Sequence, residues 1–357
     1  MGSTFTGTAV TSPDTSASAT SQEAQVFCTF EEICNDLNLP GGDVAAIMRH
    51  IRAAGKTIVQ EIGMFIPFTA AKRFDGNGLD FMWVPPLLAV TSIVDDDDTY
   101  ASTDYLLYPR QKHWQNGPYT QIGHDPDGDY ATWTVERDIV VITGRWGKWE
   151  KEETTSAAVG TGGQSDSAAT LLVTNGSKVS PGMVLLINSE QELVTGYSTP
   201  STAVTTIAED LDTSEEEITV ADGTKVYDGE TIRVNYEQMK VLEIQSNTLH
   251  VRRGWNNTAK ATHTSGANVD AYRTFTVERG VNGTSAAAHT AATTIYRYLV
   301  PDDINYLARE IATLMLKKSQ GAYAGKTGNA ELGEVYYHDA FPRFDLDRLR
   351  LHYEVWD

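Results

Sequence analysis

The chain has 357 residues, enough for two or three domains of about 100–200 residues each and for a sizeable buried core. Hydrophobic residues make up 41%, which excludes a wholly disordered chain, and no apolar run reaches the roughly 18–20 residues of a membrane span. With 28 basic against 48 acidic side chains the formal charge is −20, which argues against a protein that grips DNA by neutralising phosphates.

Met1 to Ala24 is rich in Ser, Thr and Ala and has no apolar h-region. Residues 1–25 therefore read as a flexible polar tail and not as a secretory leader. Cys28 and Cys34 are the only cysteines; two thiols make neither a disulfide framework nor a metal site, and they suit synthesis in a reducing compartment. Thr29-Phe30-Glu31-Glu32 is a capping box that predicts a short helix, stopped by Leu39-Pro40-Gly41-Gly42. Asp43 caps a second helix, whose stripe is Val44, Ile47, Ile51, Ala54, Ile58 and Ile62.

From Phe65 to Trp149 short strands alternate with turns. Phe81-Met82-Trp83-Val84 ends at Pro85-Pro86, and a new strand from Leu87 to Val94 runs into Asp95, Asp96, Asp97 and Asp98. Tyr105 to Tyr108, Trp133 to Val135 and Ile139 to Gly144 read as further strands. Glu150 to Ser167 has the composition of a linker. A repeat follows it. Val173-Thr174-Asn175-Gly176-Ser177-Lys178-Val179 matches Val220-Ala221-Asp222-Gly223-Thr224-Lys225-Val226 at an offset of 47, and Gly182, Asn188, Glu190, Gln191 and Val194 match Gly229, Asn235, Glu237, Gln238 and Val241 at the same offset. A second echo, at an offset of 26, relates Val251 to Thr258 and His263 to Val277 to Thr284 and His289. Regular short strands with Asn-Asn and Asn-Gly turns predict a β-barrel or β-sandwich.

At Val300-Pro301-Asp302-Asp303 the helical period returns. Ile304, Leu307, Ala308, Ile311 and Met315 form its stripe, with acids at the helix start and Lys317-Lys318 at its end, as the macrodipole favours. The last stretch alternates aromatic and charged residues. The expected class is α+β: a small helical core with short β-hairpins, built from residues 26–150 and 301–357, interrupted by an inserted all-β domain over 151–300.

Motifs for chemistry are mostly missing. Gly160-Thr161-Gly162-Gly163 has no following Gly-Lys-Ser/Thr, and no Gly-x-Ser-x-Gly elbow occurs. Asp125, Asp127 and Asp129 alternate like a calcium loop, but Tyr130 occupies the position that needs Gly, so a turn explains them better. Four consecutive carboxylates, Asp95 to Asp98, do not converge on one ion, because neighbours on a strand point to opposite faces. They read as an acidic loop facing a lumen or a partner. His263 and His289, as repeat equivalents, read as turn residues. Trp114, Trp146 and Trp149 read as packing residues. No catalytic residue, metal or cofactor is expected.

The run from Phe30 to Ile62, then Phe65-Ile66-Pro67, Val84-Pro85-Pro86-Leu87, Gly144-Arg145-Trp146-Gly147 and the helix opening Val300-Pro301-Asp302-Asp303-Ile304 together resemble the head–tail connector (adaptor) proteins of long-tailed bacteriophages. The resemblance covers roughly residues 26–150 and 300–357. It implies a non-enzymatic virion protein at the head–tail neck, made in the host cytoplasm with no membrane partner. It implies a homo-oligomeric ring, commonly dodecameric, between the portal protein and a stopper or tail-completion protein, with DNA passing through unbound. An arm carrying Phe341, Arg343, Phe344, Leu346, Arg348, Leu349, Arg350, Leu351, Tyr353 and Trp356 would then dock on the portal. On its residues alone, this aromatic stretch is expected not to bury itself on its own subunit. The alternative is a decoration or adhesion protein that binds through the β segment.

Overall fold

The computed structural model describes residues 23–111, 117–320, 326–327, 336–337 and 342–354. Among these, four helices accompany three six-stranded antiparallel sheets. Among the described residues, no helix is long and apolar enough to cross a membrane.

Helix α1 (Phe30–Asp36) begins at the Thr29 capping box, in which the Thr29 hydroxyl accepts from the Glu32 N–H and the Glu32 carboxylate accepts from the Thr29 N–H. The Asp43 side chain caps α2 (Val44–Glu61). The inward face of α2 is Ile47, Met48, Ile51, Ala54, Gly55, Ile58 and the following Ile62. It packs on Ile304, Leu307, Ala308, Ile311 and Leu316 of α3 (Asp302–Gln320). Each fully buried Ile contributes about 1.5–3 kcal/mol. The two ends of the chain thus share one core.

The polar tail ends earlier than its composition suggests. Ala24 and Gln25 are buried, so the boundary at residue 25 is too late; residues 1–22 lie outside the described residues. The Gln25 amide donates to the Ile66 carbonyl and accepts from the Phe65 and Ile66 N–H groups, so it pins this segment against the end of α2. Gly55 makes the close approach possible, since a Cβ there would sit 2.1 Å from the Gln25 carbonyl oxygen. Gly55→Ala is expected to cost about 1–3 kcal/mol despite the better helix propensity of Ala, measurable by urea denaturation.

The first sheet contains β1 (Phe68–Phe74), β2 (Phe81–Asp95), β3 (Asp98–Thr99), β4 (Tyr105–Tyr108), β5 (Tyr119–His124) and β6 (Val140–Trp146), in the order β1-β6-β2-β5-β4 with β3 paired to β2. Pro85-Pro86 does not end a strand. β2 runs through it and changes partner there: residues up to Leu87 pair with β5 and those from Leu87 onward pair with β6. Pro lacks the N–H of a central ladder, and the register shift between Trp83 and Leu87 accommodates the pair. Trp133 to Val135 is loop and not strand; Trp133 is buried there as a plug in the sheet's core.

The second sheet takes β7 (Glu152–Ala158), β8 (Thr170–Leu172), β9 (Val184–Ile187) and β10 (Glu190–Tyr197). Before it is complete, the chain leaves to build the whole third sheet: β11 (Ser201–Thr206), β12 (Glu217–Thr219), β13 (Thr231–Val234), β14 (Glu237–Gln245), β15 (Thr248–Trp255) and β16 (Asn268–Ala271). It then returns with β17 (Thr274–Glu278) and β18 (Thr294–Tyr298). The orders are β7-β18-β9-β10-β17-β8 and β11-β16-β13-β14-β15-β12. They superpose under the two sequence offsets, so the repeats are two copies of one module, the second nested inside the first. Single bridges, Val159–Val173 and Ile207–Val220, bring the sheet edges together at one end. Neither module closes into a barrel, so of the two alternatives the barrel is overturned. Residues from Glu150 onward are not a linker either, because β7 is an edge strand paired with β18. Its Ser156 and the equivalent Ala203 of β11 both have positive φ, which kinks each edge strand.

The modules also contribute to the helical core. Val184, Leu193, Trp255 and Val281 belong to the same apolar cluster as α1, α2 and α3. Lys240 pairs with Glu31 of α1 at 2.8 Å, and the Tyr197 hydroxyl donates to the same carboxylate. Strands β19 (Lys326–Thr327) and β20 (Tyr336–Tyr337) form a small separate pair.

Candidate functional site: a docked terminal helix, an aromatic sheet face and two buried clamps

The C-terminal stretch is helical. In α4 (Arg343–His352), Leu346, Leu349 and the following Tyr353 recur at spacings of three and four and are buried in the helical core. The Tyr353 ring stands edge-on to Phe65 at 5.0 Å, its hydroxyl donates to Asp303 at 2.9 Å, and its carbonyl accepts from Lys148 at 2.7 Å. Burial and the Asp303 carboxylate push the phenol pKa up. Leu346, Leu349 and Tyr353 are therefore not free anchors, which corrects the expectation for these three. The alternating pattern hid a helical period whose apolar face fits the subunit's own core. Arg343, Arg348, Arg350 and Leu351 remain exposed on the other side, with Leu351 66% exposed. Phe341, Trp356 and the side chain of Phe344 lie outside the described residues, as does Trp114.

The four aspartates do not form one patch. Asp96 and Asp97 are the two-residue turn between β2 and β3, with Asp96 at φ 59°, and with Asp98 they face solvent. Asp95 is 2% exposed and accepts from the Thr134 N–H at 2.9 Å and the Tyr100 hydroxyl. Strand alternation sends its side chain inward. There Tyr100 stacks between Tyr130 and Trp133, at centroid distances of 4.2 and 5.4 Å, with His124 Nε2 against its hydroxyl. In the neighbouring turn the Asp125 side chain accepts from the Asp127 N–H and its carbonyl from the Gly128 N–H, as a turn requires.

The opposite face of the same sheet is aromatic and half-buried, with Trp83 its exposed member. Phe81 and Trp83 of β2 lie beside Leu106 and Tyr108 of β4, across Gly123 and Gln121 of β5, and Arg110 covers the Tyr108 ring. Trp83 is 56% exposed. The residues alternating with these, Met82, Val84 and Ile122, are core. The period-2 alternation through Phe81 and Trp83 is the signal in the sequence that marks this face.

Each β module is locked by a buried clamp that sequence reading took for turn structure. In the second module Arg253 forks onto Glu237, with Nε and Nη2 at 2.6 and 2.7 Å, and also donates to the carbonyls of Asp212, Glu215 and Ala261. His263 Nε2 meets Glu237 at 2.9 Å, and the Asn235 amide meets His263 Nδ1. In the first module Arg279, Glu190, His289 and Asn188 repeat these contacts, with Arg279 on Glu190 at 2.7 and 2.8 Å and His289 on Glu190 at 2.9 Å. Burial opposes the charge on Glu237, but the Arg253 hydrogen bonds, the Ala261 N–H and His263 outweigh it and hold the carboxyl at about 2. Glu190 is lowered in the same way.

Glu190, Glu192 and His289 approach closely enough to share a cation. Two of the three groups are already committed: both Glu190 oxygens accept from Arg279 and from backbone N–H groups, and both His289 nitrogens are bonded. The second module makes the same contacts without a third acidic group. The arrangement is a device for holding two loops against a sheet, and the Arg guanidinium already occupies the place of a cation. Comparison with family models, with curated proteins and with solved structures returns no match.

Proposed function

We propose that this chain is an architectural subunit of a tailed-phage particle, forming a head–tail connector ring between the portal and the tail or stopper protein. The observation that supports this reading is the co-folding of the two chain ends. Segments 24–66 and 304–353 share one helical core, as the resemblance of those segments to connector proteins implies. The helix α4 is anchored by one face and presents Arg343, Arg348, Arg350 and Leu351 outward, which makes that face the portal-docking surface in this proposal. Arg is a residue type enriched at interface hot spots. The net charge of −20 suits a channel through which DNA slides without phosphate contacts. The row of Phe81, Trp83, Leu106 and Tyr108, with Trp83 exposed and the other three half-buried, is a second surface available for assembly.

Negative-stain electron microscopy of the purified chain, alone and with portal, tests this directly. Rings or portal-capping density are expected; a chain that stays monomeric and never joins a portal overturns the reading.

The nested second module separates the ring role from the alternative of an outward decoration domain. The Ser198 N–H donates to the Thr274 carbonyl at 2.8 Å, so the two chain ends at the excision point are already neighbours. Replacing residues 199–273 by an Asn-Gly turn should leave the first module folded, by circular dichroism and limited proteolysis. Particles carrying the excised chain are expected still to join heads to tails. Loss of host or neck binding with joining intact would move the second module's role to decoration.

A further inference from the structure

The two modules share most of their buried apolar positions, which makes their differences informative. Leu171, Leu185, Val194 and Phe275 of the first core correspond to Ile218, Ile232, Val241 and Leu249 of the second. At two positions buried in both modules, an apolar residue of the second is polar in the first. Leu211 and Met239 of the second module are replaced by Gln164 and Glu192 in the first, and all four are buried. A buried polar pair where the fold accepts two apolar residues is destabilising unless every atom is satisfied. Here it is not satisfied. The Gln164 amide nitrogen donates to Glu192 Oε2 at 3.1 Å and to the Thr170 carbonyl, while Gln164 Oε1 has no partner among the described residues. Glu192 Oε1 lies 3.1 Å from Arg279 Nε but out of line for a hydrogen bond.

Charge sharpens the contrast. In the second module one guanidinium faces one carboxylate, Arg253 on Glu237. In the first, Arg279 is shared by Glu190 and Glu192. The groups facing Glu192 are Glu190 on its own strand, Arg279 from the end of β17, His289 from the loop before β18 and Gln164 from the loop after β7, with Asp166 acting on Arg279. An ionised Glu192 leaves one buried negative charge in excess of the guanidinium.

We propose that Glu192 and Gln164 form a proton-operated latch on the first β module, closed when Glu192 carries a proton and loosened when it is ionised. Burial is the main cause that pushes the Glu192 carboxyl up to about 7, with Glu190 adding to it and Arg279 and Gln164 opposing. The sign follows from that direction. A carboxyl whose folded value is raised stabilises the module fully below its ordinary value, and the stabilisation is lost as pH rises through about 7. Strand β10 carries the effect outward: Leu193 packs in the helical core and Gln191 donates to the Pro67 carbonyl. The seating of the first module on the helices therefore loosens with it.

Hydrogen–deuterium exchange of the full chain, corrected for the intrinsic pH dependence of exchange, tests the latch with the second module as internal control. Between about pH 5.5 and about pH 8.5, protection of peptides covering β10 and β17 should fall by roughly ten-fold, while β14 and β15 do not change. Glu192→Gln and the double variant Gln164→Leu/Glu192→Met, which copies the second module, should both abolish the difference. An equal pH response in the two modules, or a response that survives both variants, overturns the proposal. Because the double variant installs residues that the fold already accepts at the equivalent sites, it keeps the test valid if Glu192→Gln folds poorly.

Discussion

Arg253→Ala is expected to lower the unfolding free energy by about 3–5 kcal/mol, because it strands a fully buried Glu237 carboxylate without its counter-charge. The guanidinium also satisfies three carbonyls, those of Asp212, Glu215 and Ala261, which come from the two loops it clamps. Removing it leaves these acceptors unpaired and frees both loops from the sheet. Urea denaturation should show the loss, and hydrogen exchange should place it first in β13 to β16. Arg253→Lys is not expected to rescue it, since a point charge cannot fork onto two oxygens and reach three carbonyls. The pH dependence is the reverse of the Glu192 case. Glu237 is held at about 2, so its stabilising contribution is fully present above the ordinary carboxylate value and is lost as pH falls through about 2. Glu190, the homologue of Glu237, is lowered too, so the two clamps respond alike to acid; the opposite response enters the first module at Glu192, where the second carries Met239.

How far residues alone lead depends on the range of the interactions. The capping box at Thr29, the Asp43 cap and the stripes of α2 and α3 are local patterns, and the helices follow them within a residue or two. The repeats were legible because their identities hold at fixed offsets. Their nesting was not, since it depends on β17 and β18 returning to a sheet left unfinished about 75 residues earlier. The clamps escaped for the same reason. Glu190 and His289 are 99 residues apart, and nothing local shows that they touch. A signal did exist: Glu, Arg and His are each repeated, and a charged residue preserved between two copies that otherwise share apolar positions belongs to something buried. Residues 150–158 read as linker because Glu, Lys and Ala have weak strand propensity; pairing with β18 overrides that preference. The run Asp95 to Asp98 read as one acidic loop because composition ignores the strand alternation that buries Asp95 and the tight turn that carries Asp96 and Asp97 into solvent.

The two faces of α4 should separate stability from assembly. Tyr353→Ala removes a ring packed on Phe65 together with the hydrogen bond to Asp303, and is expected to cost about 3–5 kcal/mol, read by thermal or urea denaturation. Arg348→Glu with Arg350→Glu changes only exposed side chains, and each should shift stability by no more than about 0.5 kcal/mol. The weak Arg348–Asp345 pair, 3.5 Å apart on the surface, does not alter that expectation. If the outward face of α4 docks on the portal, the charge-reversed chain folds normally yet its portal affinity falls at least ten-fold, about 1.4 kcal/mol. Restoring affinity by reversing acidic residues on the portal would identify the facing surface. A double reversal that docks as well as the native chain would remove α4 from the interface and leave the aromatic row around Trp83 as the surface to test. The order of the experiments matters, because Tyr353 lies under the same helix: a docking defect in Tyr353→Ala alone would report a displaced α4, whereas a defect in the reversed, fully folded chain reports lost recognition.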